Sequence, residues 1–323
     1  MQKRVFPGLM GLLIMTPFSL VYAQGIGSGS GIIEPGQPQV VIHATVGNAI
    51  AAQHSNGRPG GGGSNNLTYH GGTGGIGVET APRIYLVLWG AQWNNNDPSG
   101  EAGTLTSFYT GVGGSTWLSS VTQYCQGVPS GTSLCNGGKA AGNQSGMFAG
   151  SWYDNAASAP SRPTQSQLAA EAVKAAAHFG NTSAATNSSV QYVIATASGN
   201  NATGLGTQYC AWHSSTTSSY GNVAYTNLPY MTDAGGNCGA NYNGLGPNAG
   251  ITIVGGHEMA ETITDQFPST GWLDANGAEN GDKCAWIASG QGATATTKLS
   301  TGTFPVQSLW SNAFNNNAGG CVP

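Results

Sequence analysis

Charge is what this sequence lacks most. Only 7% of its 323 residues are Asp, Glu, Lys or Arg, with 9 basic against 13 acidic groups and a formal net charge of −4. Apart from Lys3 and Arg4, the basic residues are scattered. Neutralising a phosphate backbone takes several clustered basic groups, so nucleic acid is not an expected partner, and neither is an anionic membrane surface. Long apolar runs are missing too: no segment reaches the ~18 uninterrupted apolar residues of a membrane span. Cys-x-x-Cys spacing, which a thiolate metal site would need, does not occur. A Gly-x-Ser-x-Gly elbow with acid and His following is absent, and so is a Gly-rich loop ending in Gly-Lys-Ser/Thr. Serine-triad and phosphate-loop chemistry therefore gain no support.

Glycine is abundant instead, at 52 residues, and Ser, Thr and Asn fill much of the remainder. Such a surface is solvated by hydroxyls and amides. The N-terminus reads as a cleavable signal peptide over residues 1–23: Lys3 and Arg4, an apolar run from Leu9 broken by Pro17, then Val21-Tyr22-Ala23 before Gln24. The expected destination is secreted or extracellular, or a periplasm, with no membrane attachment after signal cleavage. Six cysteines fit that oxidising setting. Short loops close at the lowest entropic cost, so the expected pairs are Cys125–Cys135, Cys210–Cys238 and Cys284–Cys321.

Residues 24–66, rich in Gly, Ser and Pro, read as a flexible arm or a removable pro-segment. Within them Val40–Val46 is an apolar island that could be a strand. Residues 67–323 read as one globular domain. Arg83–Trp89, Ser189–Ala195 and Asn222–Tyr225 have the apolar, β-branched character of strands. Helices are expected over Leu105–Val121, over Thr164–Phe179 with Thr164 as N-cap, and over Pro247–Asp265. The alternation predicts a disulfide-stabilised α/β fold, a mixed sheet with packed helices.

The chemistry concentrates in His257-Glu258-Met259-Ala260-Glu261. On a helix, His257 and Glu261 lie four apart and share a face, so both can grip one metal ion. Glu258 stands where zinc proteases keep the carboxylate that accepts a proton from activated water. The pattern is one residue away from His-Glu-x-x-His, and Glu remains a donor that zinc accepts. A third ligand must come from outside the helix: Glu279, or Asp282 in competition. Six of the 13 acidic residues fall between Glu258 and Asp282, which marks this stretch as a metal or acid–base site. Asp274 and Asp282 could alternatively hold Ca2+ in their Gly/Asn-rich loop. His213, beside Cys210, is a possible ligand or hydrogen-bond donor to the reaction. His178 reads as a C-terminal helix residue, and His43 lies in the arm.

Four blocks in order carry a resemblance. They are Leu67–Gly72 with Ile84–Trp93, then Tyr209–Ser214, then His257–Glu261 with Thr264-Asp265, Glu279 and Asp282–Cys284, and finally Val306–Trp310 closing on Cys321. Together they resemble the Exordium, or phosphate-induced protein 1, family of secreted proteins. The resemblance implies an extracellular or cell-wall-associated protein. With its His-Glu-x-x-Glu retained, the chain is more similar to a microbial, protease-like branch. The position of Glu279 also resembles that of the third ligand in glutamate zincins.

The expected function is a secreted Zn2+-dependent hydrolase of zincin-like design, acting on an extracellular peptide or protein. His257, Glu261 and Glu279 or Asp282 would bind the metal, with Glu258 as base and His213 as an added donor. The rival expectation is a non-catalytic Exordium-type protein that binds a cell-wall component.

Overall fold

A computed structural model describes residues 37–49 and 66–323. The expected signal peptide and the remainder of the Gly-rich stretch lie outside the described residues. Six strands form the main sheet: β1 (Val41–His43), β2 (Arg83–Trp89), β3 (Phe148–Asp154), β4 (Val190–Thr196), β5 (Ala211–Ser218) and β6 (Gly221–Leu228). Their order is β1-β5-β6-β4-β2-β3. The block from β6 to β3 is parallel, whereas β5 and β1 run antiparallel at the opposite edge. The sheet is mixed, as expected. The island at Val40–Val46 does contain a strand, and it is the sheet's edge.

Three helices cover the two faces: α1 (Glu101–Val112), α2 (Gln165–His178) and α3 (Ala249–Thr264). Thr164 caps α2 in a reciprocal capping box with Gln167. The first helix starts earlier and stops sooner than its sequence suggests, because Gly113 is extended and Trp117–Gln123 continues as a separate 3-10 turn. Alternation along the strands sorts the cores. Tyr85, Val87, Tyr192, Ile194 and Trp212 pack with the alanine face of α2. Ile84, Leu86, Val193 and Ala211 face the other way, towards α1 and α3. All three expected disulfides are formed: Cys125–Cys135, Cys210–Cys238 and Cys284–Cys321. Among the described residues no helix is long and apolar enough to cross a membrane.

The third helix is the spine of this arrangement. All 16 of its residues are buried. A helix without a solvent face needs partners all round. The sheet lies on one side and α1 on another, and the hairpin Ala295–Leu299/Gly302–Val306 closes a third. Close approach to α1 requires glycine: a Cβ on Gly256 would stand 3.0 Å from both the Phe108 and Trp117 rings. Nearby, Tyr109 donates to the Gly255 carbonyl at 3.1 Å.

Glu79 links the sheet to the end of α3. Its amide donates to the Ile263 carbonyl at 2.8 Å, and its carboxylate accepts from Gln191 Nε2 of β4 at 2.9 Å. Burial pushes this carboxyl up from 4.5 to about 8, against the pull of the Gln191 hydrogen bond. A carboxyl that holds its proton more tightly when folded loses stability as pH rises from its unfolded to its folded value. Glu79→Gln is therefore expected to gain stability relative to wild type between pH 4.5 and 8, by up to roughly 1.4 kcal/mol per pH unit. Urea midpoints measured across that range check this. A difference that does not change with pH would show that Glu79 does not titrate with folding.

Candidate metal centre

The centre is assembled by α3, by β5, by the return loop after α3 and by β1. His257, Glu258 and Glu261 sit on α3, with their side chains fully buried. After α3, the chain turns at Asp265, whose carboxylate accepts from the Thr270 hydroxyl at 2.7 Å. Trp272–Leu273 then pairs with Thr68–Tyr69. Asp274 closes a turn by accepting from the amides of Asn276 and Ala278 at 2.8 and 3.0 Å. That turn sends residues 279–282 back onto α3. Asn280 fastens them there, donating to the Ala260 carbonyl at 3.0 Å and to Thr264 Oγ1 at 2.6 Å. The Asp282 amide donates to Glu261 Oε1 at 2.8 Å. Only glycine fits between: a Cβ on Gly281 would lie 2.7 Å from His257 Nδ1 and 2.9 Å from Glu261 Oε1.

The sequence-predicted residues do come together, but as two sets. His257, Glu261 and Asp282 each offer a donor atom, all within 4.8 Å of one another. His257 Nε2 is 2.9 Å from Glu261 Oε1 and 3.8 Å from Asp282 Oδ1. Glu279, the alternative third ligand, turns instead to His213, whose Nε2 is 3.5 Å from Glu279 Oε2. His213, Glu261 and Glu279 make the second set, again within 4.8 Å. His213 Nδ1 meets Glu258 Oε2 at 3.1 Å. Asp274 and Asp282 do not share a group of donor atoms among the described residues: Asp274 pairs with Lys283 at 2.9 Å, while Asp282 faces His257.

Two partners escaped the sequence reading. His43, assigned to the arm, is fully buried at the centre. The β1–β5 register pairs Val41 with His213 and His43 with Ala211, so both histidines face α3. The His43 ring stacks on His257 at 3.8 Å and on Trp286 at 5.0 Å. Its nitrogens form a third group with His257 and Glu258. The only sequence signal was an apolar island with one His in a polar stretch. The second partner is Gln307, part of the last block of the resemblance. Its Nε2 donates to the Gly281 carbonyl at 2.7 Å and to the Ser308 carbonyl at 3.3 Å. Oε1 is thus left to accept from His257 Nδ1 at 3.1 Å. The proton of His257 is thereby placed on Nδ1, and the Nε2 lone pair points at the carboxylates.

Burial penalises every charge here, and neighbours decide each outcome. His257 is driven down by burial, but Glu261, with Glu258 and Asp282 behind it, raises it to about 9. His213 also rises, because Glu258, Glu261 and Asp265 outweigh burial. Glu261 is held below the usual carboxylate range by His257 and His213 despite its burial. Burial, then repulsion from Glu261 and Asp265, drives Glu279 well up. Asp282 reaches about 8 through burial and Glu261, although His257 opposes the shift. Burial also raises Glu258, against its hydrogen bond from His213. His43, buried and repelled by His257, falls well below its ordinary value.

Several of these buried atoms have no hydrogen-bond partner: His213 Nε2, His257 Nε2, Glu258 Oε1, Glu261 Oε2 and both oxygens of Glu279. Orphaned donors of metal-ligating type, converging in a buried space, fit a divalent cation. Comparison with known proteins adds no identity: no family model matches the chain, and no curated protein and no solved structure matches it.

Gln307→Leu removes the acceptor for His257 Nδ1–H. Zinc affinity, read by competition with a chromophoric chelator, is expected to fall roughly 10–100-fold. Gln307→Glu keeps the acceptor but loses the donor to the Gly281 and Ser308 carbonyls, and is expected to retain more affinity than Gln307→Leu but less than wild type. Equal affinity in Gln307→Leu and wild type would remove Gln307 from the centre.

Proposed function

We propose that this protein is a secreted, metal-dependent hydrolase of zincin-like design, acting on extracellular peptides or proteins. One observation carries the proposal: His257, Glu261 and Asp282 converge on one point while the next helical residue, Glu258, keeps an unpartnered oxygen beside them. Imidazole nitrogen with carboxylate oxygen suits zinc, whereas calcium takes a shell of six to eight oxygens. Held by those three residues, zinc would polarise a carbonyl oxygen and acidify water. Glu258 is the general base. His213 occupies its Oε2 and fixes the carboxylate, leaving Oε1 to take the proton. Burial makes Glu258 a stronger base than an exposed carboxylate. Three disulfides fit an oxidising compartment.

A second reading is a non-catalytic, Exordium-type protein that binds a wall component, with the metal as a brace. What favours it is that His213, His257, Glu258, Glu261 and Glu279 are all sealed from solvent. Under the first reading the seal is provided by residues 37–49. Their strand lies along β5, and Trp286 Nε1 holds the Ala44 carbonyl at 2.8 Å. These residues belong to the stretch that reads as an arm or pro-segment.

Two experiments separate the readings. Glu258→Gln is expected to lower hydrolysis of a peptide library by roughly 100-fold or more, with zinc content unchanged. Full activity in that variant would defeat the assignment of the base. Cleaving the chain within Gly60–Ser64 and removing the N-terminal fragment is expected to raise hydrolysis. No hydrolysis before or after cleavage, with retention on insoluble glycan that chelator does not abolish, would favour the binding protein.

A further inference from the structure

Of the three groups of donor atoms, the two that include carboxylates from the return loop have one residue, Glu261, in common. His257, Glu261 and Asp282 form one, and His213, Glu261 and Glu279 the other. Neither of them contains both His213 and His257. We propose that the centre binds two divalent transition-metal ions, one in each set, bridged by the carboxylate of Glu261. The inference rests on the metal-centre reading above and not on hydrolysis.

The two histidines are prepared in the same way. Each commits Nδ1 to an oxygen outside its set, His257 to Gln307 Oε1 and His213 to Glu258 Oε2, both at 3.1 Å. Each Nε2 is buried: that of His213 has no hydrogen-bond partner, and that of His257 meets Glu261 Oε1 at 2.9 Å. His213 Nε2 faces Glu279 Oε2 at 3.5 Å. A lone pair facing a carboxylate in a dry space is repulsive unless a proton or a metal cation lies between them, and a metal cation between them displaces that proton. Metal-bound histidines characteristically have their other nitrogen hydrogen-bonded to a carbonyl or carboxylate.

Glu261 is divided between the sets. Oε1 is 2.9 Å from His257 Nε2, while Oε2 lies towards His213, 3.7 Å from Nδ1, and has no hydrogen bond. Both oxygens of Glu279 are likewise buried; when protonated this carboxyl shares hydrogen bonds with Asp265 and Glu261, and a second ion would take the place of that proton. Charge points the same way. Glu258, Glu261, Asp265, Glu279 and Asp282 gather in one region, and the ion pairs among them in the described residues are with His213 and His257 alone. The nearest ammonium, on Lys283, is engaged by Asp274 at 2.9 Å and lies over the Trp310 ring. Two divalent ions balance most of this buried negative charge, whereas one leaves much of it uncompensated.

The test is metal stoichiometry on the full chain, with its disulfides formed, stripped with chelator and reloaded with zinc. Elemental mass spectrometry is expected to give two ions per chain. Glu279→Gln and Asp282→Asn are each expected to keep one, and Glu261→Gln to lose both. Because a variant can fail to fold, the wild type is also loaded with Co2+ and examined by electron paramagnetic resonance. A magnetically coupled pair is expected. Saturation at one ion per chain, or two uncoupled Co2+ signals, would overturn the bridged pair. One ion with hydrolysis overturns this inference alone. Two coupled ions without hydrolysis support it and remove the hydrolase reading. No bound metal removes both.

Discussion

Acidic side chains gathered where water is excluded are the constraint on which the structure depends. Taking one carboxylate out of water costs several kcal/mol even after the surroundings relax. Here α3 brings two of them into the interior, and the return loop adds Glu279 there and Asp282, 13% exposed, at its margin. Much of the local architecture can be read as a response. Asn280 staples the loop to α3, Gly281 lets it approach within contact of His257, and the Asp282 amide donates to Glu261. These contacts orient donor atoms, but they do not satisfy them: Glu261 Oε2 and both Glu279 oxygens remain without partners.

The disulfides belong to the same design. Cys210 lies at the start of β5, three residues before His213, and ties that strand to Cys238 at the end of the Met231–Cys238 segment packed against α3. Cys284 follows Asp282 by two residues and joins the return loop to the C-terminal strand at Cys321. Segments that are poor in regular structure would otherwise wander under the repulsion of the groups they carry. Cross-linking removes open conformations from the unfolded chain, and here it also limits how far two ligand-bearing segments can relax.

What was legible in the sequence was local. The spacing of His257 and Glu261 follows from helical periodicity, Thr164 starts a helix through its own hydroxyl, and short-loop cysteine pairing follows from chain entropy. The allocation of Glu279 and Asp282 was not legible. They are three residues apart in one loop, and the Asp274 turn with the Asn280 staple decides which histidine each one meets. His43 was hidden for another reason. Its role arises from strand register with β5, across a sequence separation that no local pattern encodes. Gln307 was visible only as part of a resemblance, because an uncharged amide reveals its purpose only through the three groups it contacts.

Under the metal-centre reading, protons and metal ions are alternative occupants of the same groups. Without a cation, all of these carboxylates but Glu261 meet the cost of burial by holding protons more tightly: Asp282 is pushed up to about 8 and Asp265 to about 7, with Glu279 well above the ordinary range. Ligation requires the ionised carboxylates and neutral imidazoles, so binding a cation must expel protons from the same groups. His257, raised to about 9 by its acidic neighbours, must give up its second proton as well. The centre is therefore biased towards protons in acid and towards metal as pH rises through neutrality. The same groups that make the empty fold costly at neutral pH are those that could hold a metal ion. An acidic cluster with hydrogen-bonded, solvated carboxylates would show neither property, which is why the burial of Glu258, Glu261, Asp265 and Glu279 carries more weight than the number of acidic residues.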